Sequence, residues 1–303
     1  MSKHQEPAHR FGFVTVAGPP NAGKSTLVNR LTGHKVSIVS RRPQTTRHRI
    51  MGIRTLPEAQ LVFVDTPGLH FDSKRNLNRQ INRTARASLE GVDLVLFMMD
   101  HRGWNSALRR TLKTVVESGA PVILIINKVD NLRDKSALLP LIQESSALHE
   151  FHAIVPLSAL RDDLDKVLLP VLIETVPEGP PGFPADQVSD RGPGFRAAEL
   201  VREQTFQLLG DELPYDSAVE VTAFDQSDPD LWVLDMTIWV ERDGQKGIVV
   251  GKGGQVLKNI GQRARLAMER QFGVRVRLNL WVKQRQGWAD NLNMLRSLGY
   301  TDE

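Results

Sequence analysis

The chain has 303 residues, 41% apolar and 24% charged, enough for two ordinary globular domains, and no apolar run approaches the roughly 20 residues a membrane-spanning helix needs. It contains no cysteine, which excludes disulfides, thiolate metal sites and a cysteine nucleophile. The net charge of +4 hides a sharp division: nine acidic residues and no Lys or Arg lie between Asp211 and Glu241, and eleven basic against two acidic residues follow from Arg242 to Arg285. A basic block of that size is either a solvated face or the footprint of a polyanion.

Residues 1–10, "MSKHQEPAHR", have no apolar core behind their charges and read as a mobile tail rather than a secretory signal, so a cytoplasmic protein is expected. From residue 11 to 178, apolar runs at Phe11–Val16, Gln60–Val64, Val92–Met99, Pro121–Asn127 and Ala153–Pro156 alternate with helical stretches. That alternation predicts an α/β domain with a mostly parallel sheet and helices on both faces. The stretch 179–194 is dense in Pro and Gly and reads as a linker. Residues 195–285 then give a helix, two strands, a helix, a Gly-rich loop, a helix and a last strand, an α+β domain. Residues 286–303 read as a C-terminal tail.

Directly after the first strand, "GPPNAGKST" fits the phosphate-binding loop GxxxxGK[ST] in its strand-to-helix context. Gly18, Asn21, Ala22 and Gly23 let backbone N–H groups converge on phosphate oxygens; Lys24 reaches the β/γ oxygens, Ser25 can ligate Mg²⁺, and Thr26 is expected with them among the nucleotide-binding residues. Asp65, closing the second strand in "DTPG", supplies a carboxylate to the magnesium shell, and Gly68 an N–H for the γ-phosphate. Between them, Thr46 by preference, with Thr45 second, can complete the shell when the γ-phosphate is present.

The phosphate loop alone does not separate ATP from GTP. "NKVD" does: Asp130 would accept from N1–H and the 2-amino group of guanine, Asn127 would tie its loop to the phosphate loop, and the stem of Lys128 would cover the base. Ser158, Ala159 and Leu160 would add backbone donors to guanine O6.

In the second domain, Gly251-Lys252-Gly253-Gly254 lies between two helical stretches. A lone GxxG is common, but the order helix, strand, strand, helix, GxxG, helix, strand is the type II KH arrangement, whose loop clamps single-stranded RNA by its backbone. Lys258 and Arg265 would lie along one side of the following helix, and bases would be read between that helix and the middle strand. In "VRVRLNLWV" the residues Val274, Val276, Leu278, Leu280 and Val282 share one face, and Arg275, Arg277, Asn279 and Trp281 the other. Trp232 and Trp239 fall on opposite faces of their strand, so at least one belongs to a core; Trp281, Trp288 and Tyr300 are read as packing residues. The eight histidines show no ligand spacing.

These motifs, in this order, resemble the translation-factor-related (TrmE-Era-EngA-like) GTPases. Within them, "PNAGKST", "TTRHR" and a basic C-terminal domain ending "GW…LRSLGY" are similar to the Era family, the KH-domain ribosome-assembly GTPases of bacteria. The resemblance covers nearly the whole chain. It implies a Mg²⁺-dependent GTPase cycling between GTP and GDP, catalytic contributions from Lys24, Thr46, Gly68 and Asn21, and K⁺ held near the phosphates by Asn21. It further implies a monomer without DNA that binds the 3′ end of 16S rRNA in 16S rRNA processing and 30S ribosomal subunit assembly, and it permits peripheral association with the inner membrane. Leu69 stands where Ras-like proteins carry their water-orienting Gln, so slow intrinsic hydrolysis is expected. Rival readings are an RNA-binding module with a purely structural nucleotide domain, a metabolic ATP-dependent kinase, and a GTPase directed to transfer RNA or a membrane.

Overall fold

The computed structural model describes residues 9–40, 42–43, 45–67, 75–210 and 212–300. Gly68 and Leu69 therefore lie outside the described residues. Two compact units divide the chain, the first drawn from Met1–Ser37, Thr46–Phe71 and Asn82–Asp190, the second from Ile38–Thr45, Asp72–Ile81 and Arg191–Glu303.

The first unit is built on six strands, β1 (Arg10–Ala17), β2 (Ile50–Thr55), β3 (Ala59–Asp65), β4 (Leu94–Asp100), β5 (Val122–Asn127) and β6 (Ala153–Pro156), in the order β2-β3-β1-β4-β5-β6. All neighbours are parallel except β2, which runs antiparallel to β3. Its helices are α1 (Lys24–Thr32), the second half of α2 (Asn76–Ala87), α3 (Ser106–Val116), α4 (Leu138–Leu148), α5 (Leu164–Val167) and α6 (Leu169–Thr175). On one face Val95, Phe97 and Met99 of β4 pack with Leu108, Leu112 and Val115 of α3 and Leu141 of α4. Leu94, Leu96 and Met98, pointing the other way, are equally buried, which is why this strand reads as a continuous apolar run.

Strand β2 is not legible in the sequence. Its "IMGIRT" lacks alternation because Gly52 sits under α1: a Cβ there would fall 2.5 Å from the Thr32 methyl. The Pro/Gly-rich stretch after residue 178 also differs from expectation. Up to Asp190 it is strapped along the first unit: Gly182 N and Phe183 N both donate to Gln60 Oε1 (2.8 and 2.9 Å), Gln60 Nε2 donates to Phe183 O (2.9 Å), and Ser189 Oγ donates to Met51 O (2.8 Å). The Phe183 ring lies 6.4 Å from those of Phe11 and Phe13.

The second unit contains α7 (Pro193–Leu208), β7 (Ser217–Asp228), β8 (Leu231–Val240), α8 (Asp243–Val250), α9 (Gln255–Phe272), β9 (Arg275–Gln284) and α10 (Leu292–Ser297). β7 and β8 form an antiparallel hairpin, and β9 joins β8 in parallel after the α8–α9 crossover, leaving β9 as an edge. Leu234, Met236, Ile238 and Val240 of β8 are buried with Leu200 and Val201 of α7 and Ile260, Ala264 and Met268 of α9. Residues 286–300, expected as tail, are folded: Trp288 is fully buried, its Nε1 donates to Asp216 O (3.0 Å), and it packs with Met294, Leu295 and Tyr300. Trp232 joins Phe224 and Phe272 in one cluster and Trp239 packs in another. Trp281 departs from the packing role expected for it, remaining 45% exposed.

Gln60→Ala removes the partner of both the Gly182 and the Phe183 amides. A loss of about 1–3 kcal/mol is expected, read as a lower melting temperature and faster hydrogen exchange at those two amides; unchanged exchange would show that Gln60 does not hold the strap.

Candidate functional site

The first site forms at the carboxyl ends of the parallel strands, where open α/β sheets bind ligands. β1 runs into the loop Gly18–Gly23 and α1, and its register sets Val16 beside Asp65, the last residue of β3. Gly23 adopts φ 104°, and a Cβ there would fall 2.3 Å from Asn127 Nδ2, so only glycine lets the two loops approach. Asn21 is exposed, with φ 61°.

Lys24 is buried, and its Nζ donates to Gly18 O and Pro19 O at 3.0 Å each. Burial pushes its pKa down to about 8, against the upward pull of the Asp65 charge. Burial also raises the pKa of Asp65, opposed by the Ser25 hydrogen bond and the Lys24 charge. Ser25 Oγ donates to Asp65 Oδ2 at 2.7 Å and lies 3.0 Å from Thr46 Oγ1, which itself lies 3.4 Å from Asp65 Oδ2. Asp65 Oδ1 is buried without a hydrogen-bond partner. Two hydroxyls and a carboxylate with an unused oxygen are a hard donor set that fits Mg²⁺. Thr45 is not part of this cluster; its Oγ1 donates to Arg42 O. Thr26 follows in α1, half-buried.

Asn127 ends β5 and holds two loops at once. Its Nδ2 donates to Ala22 O (2.7 Å), and its Oδ1 accepts from Ala159 N (2.8 Å). Lys128, with φ 64°, donates from Nζ to Asn21 O at 2.6 Å, and Asp130 pairs with Arg161 Nε at 3.3 Å. The structure corrects the expectation that all of Ser158, Ala159 and Leu160 offer amides to a base. Ser158 N already donates to Asp162 Oδ2 (2.8 Å) and Ala159 N to Asn127, which leaves Leu160 N. Arg30 fixes this loop from below, donating to Leu160 O and Asp162 O. Sequence reasoning passed over Arg30, Arg161 and Asp162; the carboxylate four residues after Ser158 was the available signal for the last.

In the second unit, Gly251-Lys252-Gly253-Gly254 links α8 to α9 with positive φ at all three glycines, and Lys252 is exposed. Beside the loop runs a groove of about 680 Å³. Leu257, Leu278 and Leu280 make its floor, while Lys258 and Arg265 stand along its helical wall with Gln262. Arg265 also pairs with Glu269 at 2.7 Å. The groove opens between α9 and β9, the edge strand, and not against the middle strand as expected. The inward face of β8 is already filled by the helices, and only β9 leaves its apolar row accessible beside α9.

A family model of 50S ribosome-binding GTPases matches residues 13–128, and one of KH domains matches residues 212–289. GTPase Era of Xanthomonas axonopodis pv. citri (strain 306) is 50% identical over 300 residues, covering 99% of this chain and 100% of the relative. GTPase Era of Stenotrophomonas maltophilia (strain R551-3) is 49% identical over 296 residues, covering 98% of this chain and 99% of the relative. This chain belongs to the Era family of GTPases.

Two solved Era structures share its fold with TM-scores of 0.93 and 38% identity, each covering 97% of this chain and 100% of the other: a variant of Aquifex aeolicus Era bound to GDP·AlF4−, and Era in complex with MgGDPNP and nucleotides 1506–1542 of 16S ribosomal RNA. The Era-family chain is thus a P-loop GTPase followed by a KH domain, a module that elsewhere clamps single-stranded RNA.

Asn127→Ala strips partners from two buried groups, so a loss of about 1–3 kcal/mol is expected. Asn127→Asp keeps the acceptor for Ala159 N and loses the donor to Ala22 O. Hydrogen exchange at the Ala159 amide should therefore speed up in the alanine variant and stay slow in the aspartate variant; equal rates in both would refute the two-bond tie.

Proposed function

We propose that this chain is a GTP-operated switch that binds the 3′ end of 16S rRNA through its KH domain and acts in 16S rRNA processing and 30S subunit assembly, as a monomer in the cytoplasm. The observation that carries the reading is where the described residues of the stretch 38–46 are held. Ile38–Thr45 belongs to the second unit, where Val39 N donates to Glu203 Oε1 (3.0 Å), Arg42 Nη2 to Leu209 O (2.6 Å) and Tyr215 OH to Pro43 O (3.0 Å). The next residue, Thr46, belongs to the first unit and touches Ser25 and Asp65. A threonine drawn toward the nucleotide therefore pulls on a segment anchored to the RNA-binding unit. The Era structure holding both MgGDPNP and a 16S rRNA fragment supports the same pairing of ligands.

In this reading the backbone of Gly18–Gly23 and Lys24 hold the phosphates, Asp130 selects guanine with Arg161 bracing its carboxylate, and Leu160 N serves O6. Ser25, Thr46 and Asp65 would hold Mg²⁺, which would supply charge neutralisation to the bound phosphates. Asn21, exposed at the turn of the loop, is the residue assigned to K⁺. With Leu69 in place of a glutamine, the attacking water is placed by backbone groups of the switch segments or by a partner, Gly68 N–H serves the γ-phosphate, and intrinsic turnover is slow. No helix among the described residues is long and apolar enough to cross a membrane; association with one would be peripheral.

RNA binding is to be measured with an oligonucleotide of the 16S 3′ end and a scrambled control, in GDP, in a non-hydrolysable GTP analogue and without nucleotide. Tighter, sequence-selective binding with the analogue is expected, and equal binding in all three states would remove the switch.

Proton linkage tests the phosphate contact separately. Burial pushes the Lys24 pKa down to about 8, and contact with phosphate would raise it, so binding should take up a proton above pH 8 and affinity should fall as pH rises. Calorimetry at pH 8.5 in buffers of different ionisation enthalpy should register the uptake; none would mean that Lys24 does not meet the phosphates.

A further inference from the structure

Strand β9 has two working faces. Its even-numbered leucines, Leu278 and Leu280, floor the groove beside α9. Its odd-numbered residues form a row on the opposite side of the sheet: Arg275, Arg277, Asn279, Trp281, Lys283 and, just past the strand, Arg285, all exposed. Side chains of one row repeat about every 6.6 Å along a strand. Among the described residues none of these four arginines and lysines nearest the ring makes an ion pair, and Lys283 instead leans toward the Trp239 ring, its Nζ 5.9 Å from the centroid. Asn279 donates to Asp235 on β8 (2.8 Å), which fixes the middle of the row. The Trp281 ring, 45% exposed, has no aromatic partner among the described residues.

An exposed indole set in a row of unpaired cations, on a rigid strand, is the arrangement that stacks a base while neighbouring charges take the flanking phosphates. Resting on the reading of the KH groove as an RNA site, we infer that the outer face of β9 is a second RNA subsite. It takes the part of a single strand that leaves the groove and passes round the free edge of the sheet, with Trp281 stacking a base and Arg277 and Lys283 pairing with phosphates. Two observations favour RNA over an anionic membrane. The row is continuous, through a single unpaired edge strand, with the groove on its other side. Trp281 is also the one large apolar side chain exposed in the row, far less apolar area than an interfacial anchor buries.

The test uses the full chain and two single-stranded RNAs from the 16S 3′ end: one of about four nucleotides, the length a KH loop clamps, and the same RNA extended at either end. Trp281→Ala should weaken the extended RNA by about tenfold, the scale of one lost base–aromatic stack, and leave the short RNA unchanged. Unchanged short-RNA binding also shows that the variant is folded. Trp281→Phe should restore most of the loss, and the double variant Arg277→Glu, Lys283→Glu should weaken the extended RNA and flatten its salt dependence. Equal binding of the extended RNA by wild type and Trp281→Ala overturns the subsite while leaving the groove intact. Failure of the wild type to bind either RNA overturns the groove reading and the subsite with it. Loss of binding to phosphatidylglycerol vesicles in Trp281→Ala, with extended-RNA binding kept, overturns it in favour of a membrane contact.

Discussion

A buried carboxylate and a buried ammonium share the mouth of the first sheet, and the cost of keeping them there shapes what surrounds them. Asp65 ends a strand with every residue buried, and Lys24 begins the helix that packs below it. Taking such ions from water costs several kcal/mol each, which their attraction and added hydrogen bonds offset only in part. The residual strain is visible in the pKa directions: burial lowers that of Lys24 and raises that of Asp65, so each charge is held against its environment. Two hydroxyls lean on the carboxylate, two loop carbonyls accept from the ammonium, and one carboxylate oxygen has no hydrogen bond. A polyphosphate carrying its own divalent cation meets both demands, anion to lysine and cation to carboxylate. Affinity for a nucleotide is thus a consequence of how the two charges are buried.

Hydrogen bonds within the first unit also tie the loops after β5 and β6 to the phosphate loop. Asn127 bridges Ala22 and Ala159, Asp162 occupies Ser158 N, and Arg30 caps the loop carbonyls. One side chain at the end of β5 thereby fixes the spacing between the phosphate loop and the loop after β6.

Which features were legible in the sequence follows from how local their causes are. The phosphate loop, "NKVD" and GxxG are contiguous words whose chemistry is complete within a few residues, and the structure brings the residues of the first two together. β2 is not such a word: Gly52 answers to Thr32 across the packing interface, and no pattern within "IMGIRT" announces a strand. The stretch after Glu178 looks like a linker because Pro and Gly cannot form helix or central strand, yet its few amides find Gln60, far off in sequence. The buried C-terminal segment around Trp288 was hidden likewise, since its partners lie on α2 and β7. Placing the groove on the wrong strand has the same origin. Alternation along β9 is plain in the sequence, but that β9 is an edge depends on strand order, which only the tertiary structure supplies.

Strand order also gives the charge division its meaning. β7, at one edge of the three-stranded sheet, carries Glu220, Asp225 and Asp228, whereas β9, at the other, carries Arg275, Arg277 and Lys283. An unpaired strand edge invites association with other strands, and a row of cations discourages it. Here the cations guard the edge nearest the GxxG loop, and the carboxylates guard the far one. The charge division therefore favours a polyanion at the β9 side of the sheet and opposes one at the β7 side, so the same cations that keep the edge unpaired would also draw a polyanion to the side that carries α9 and the glycine loop.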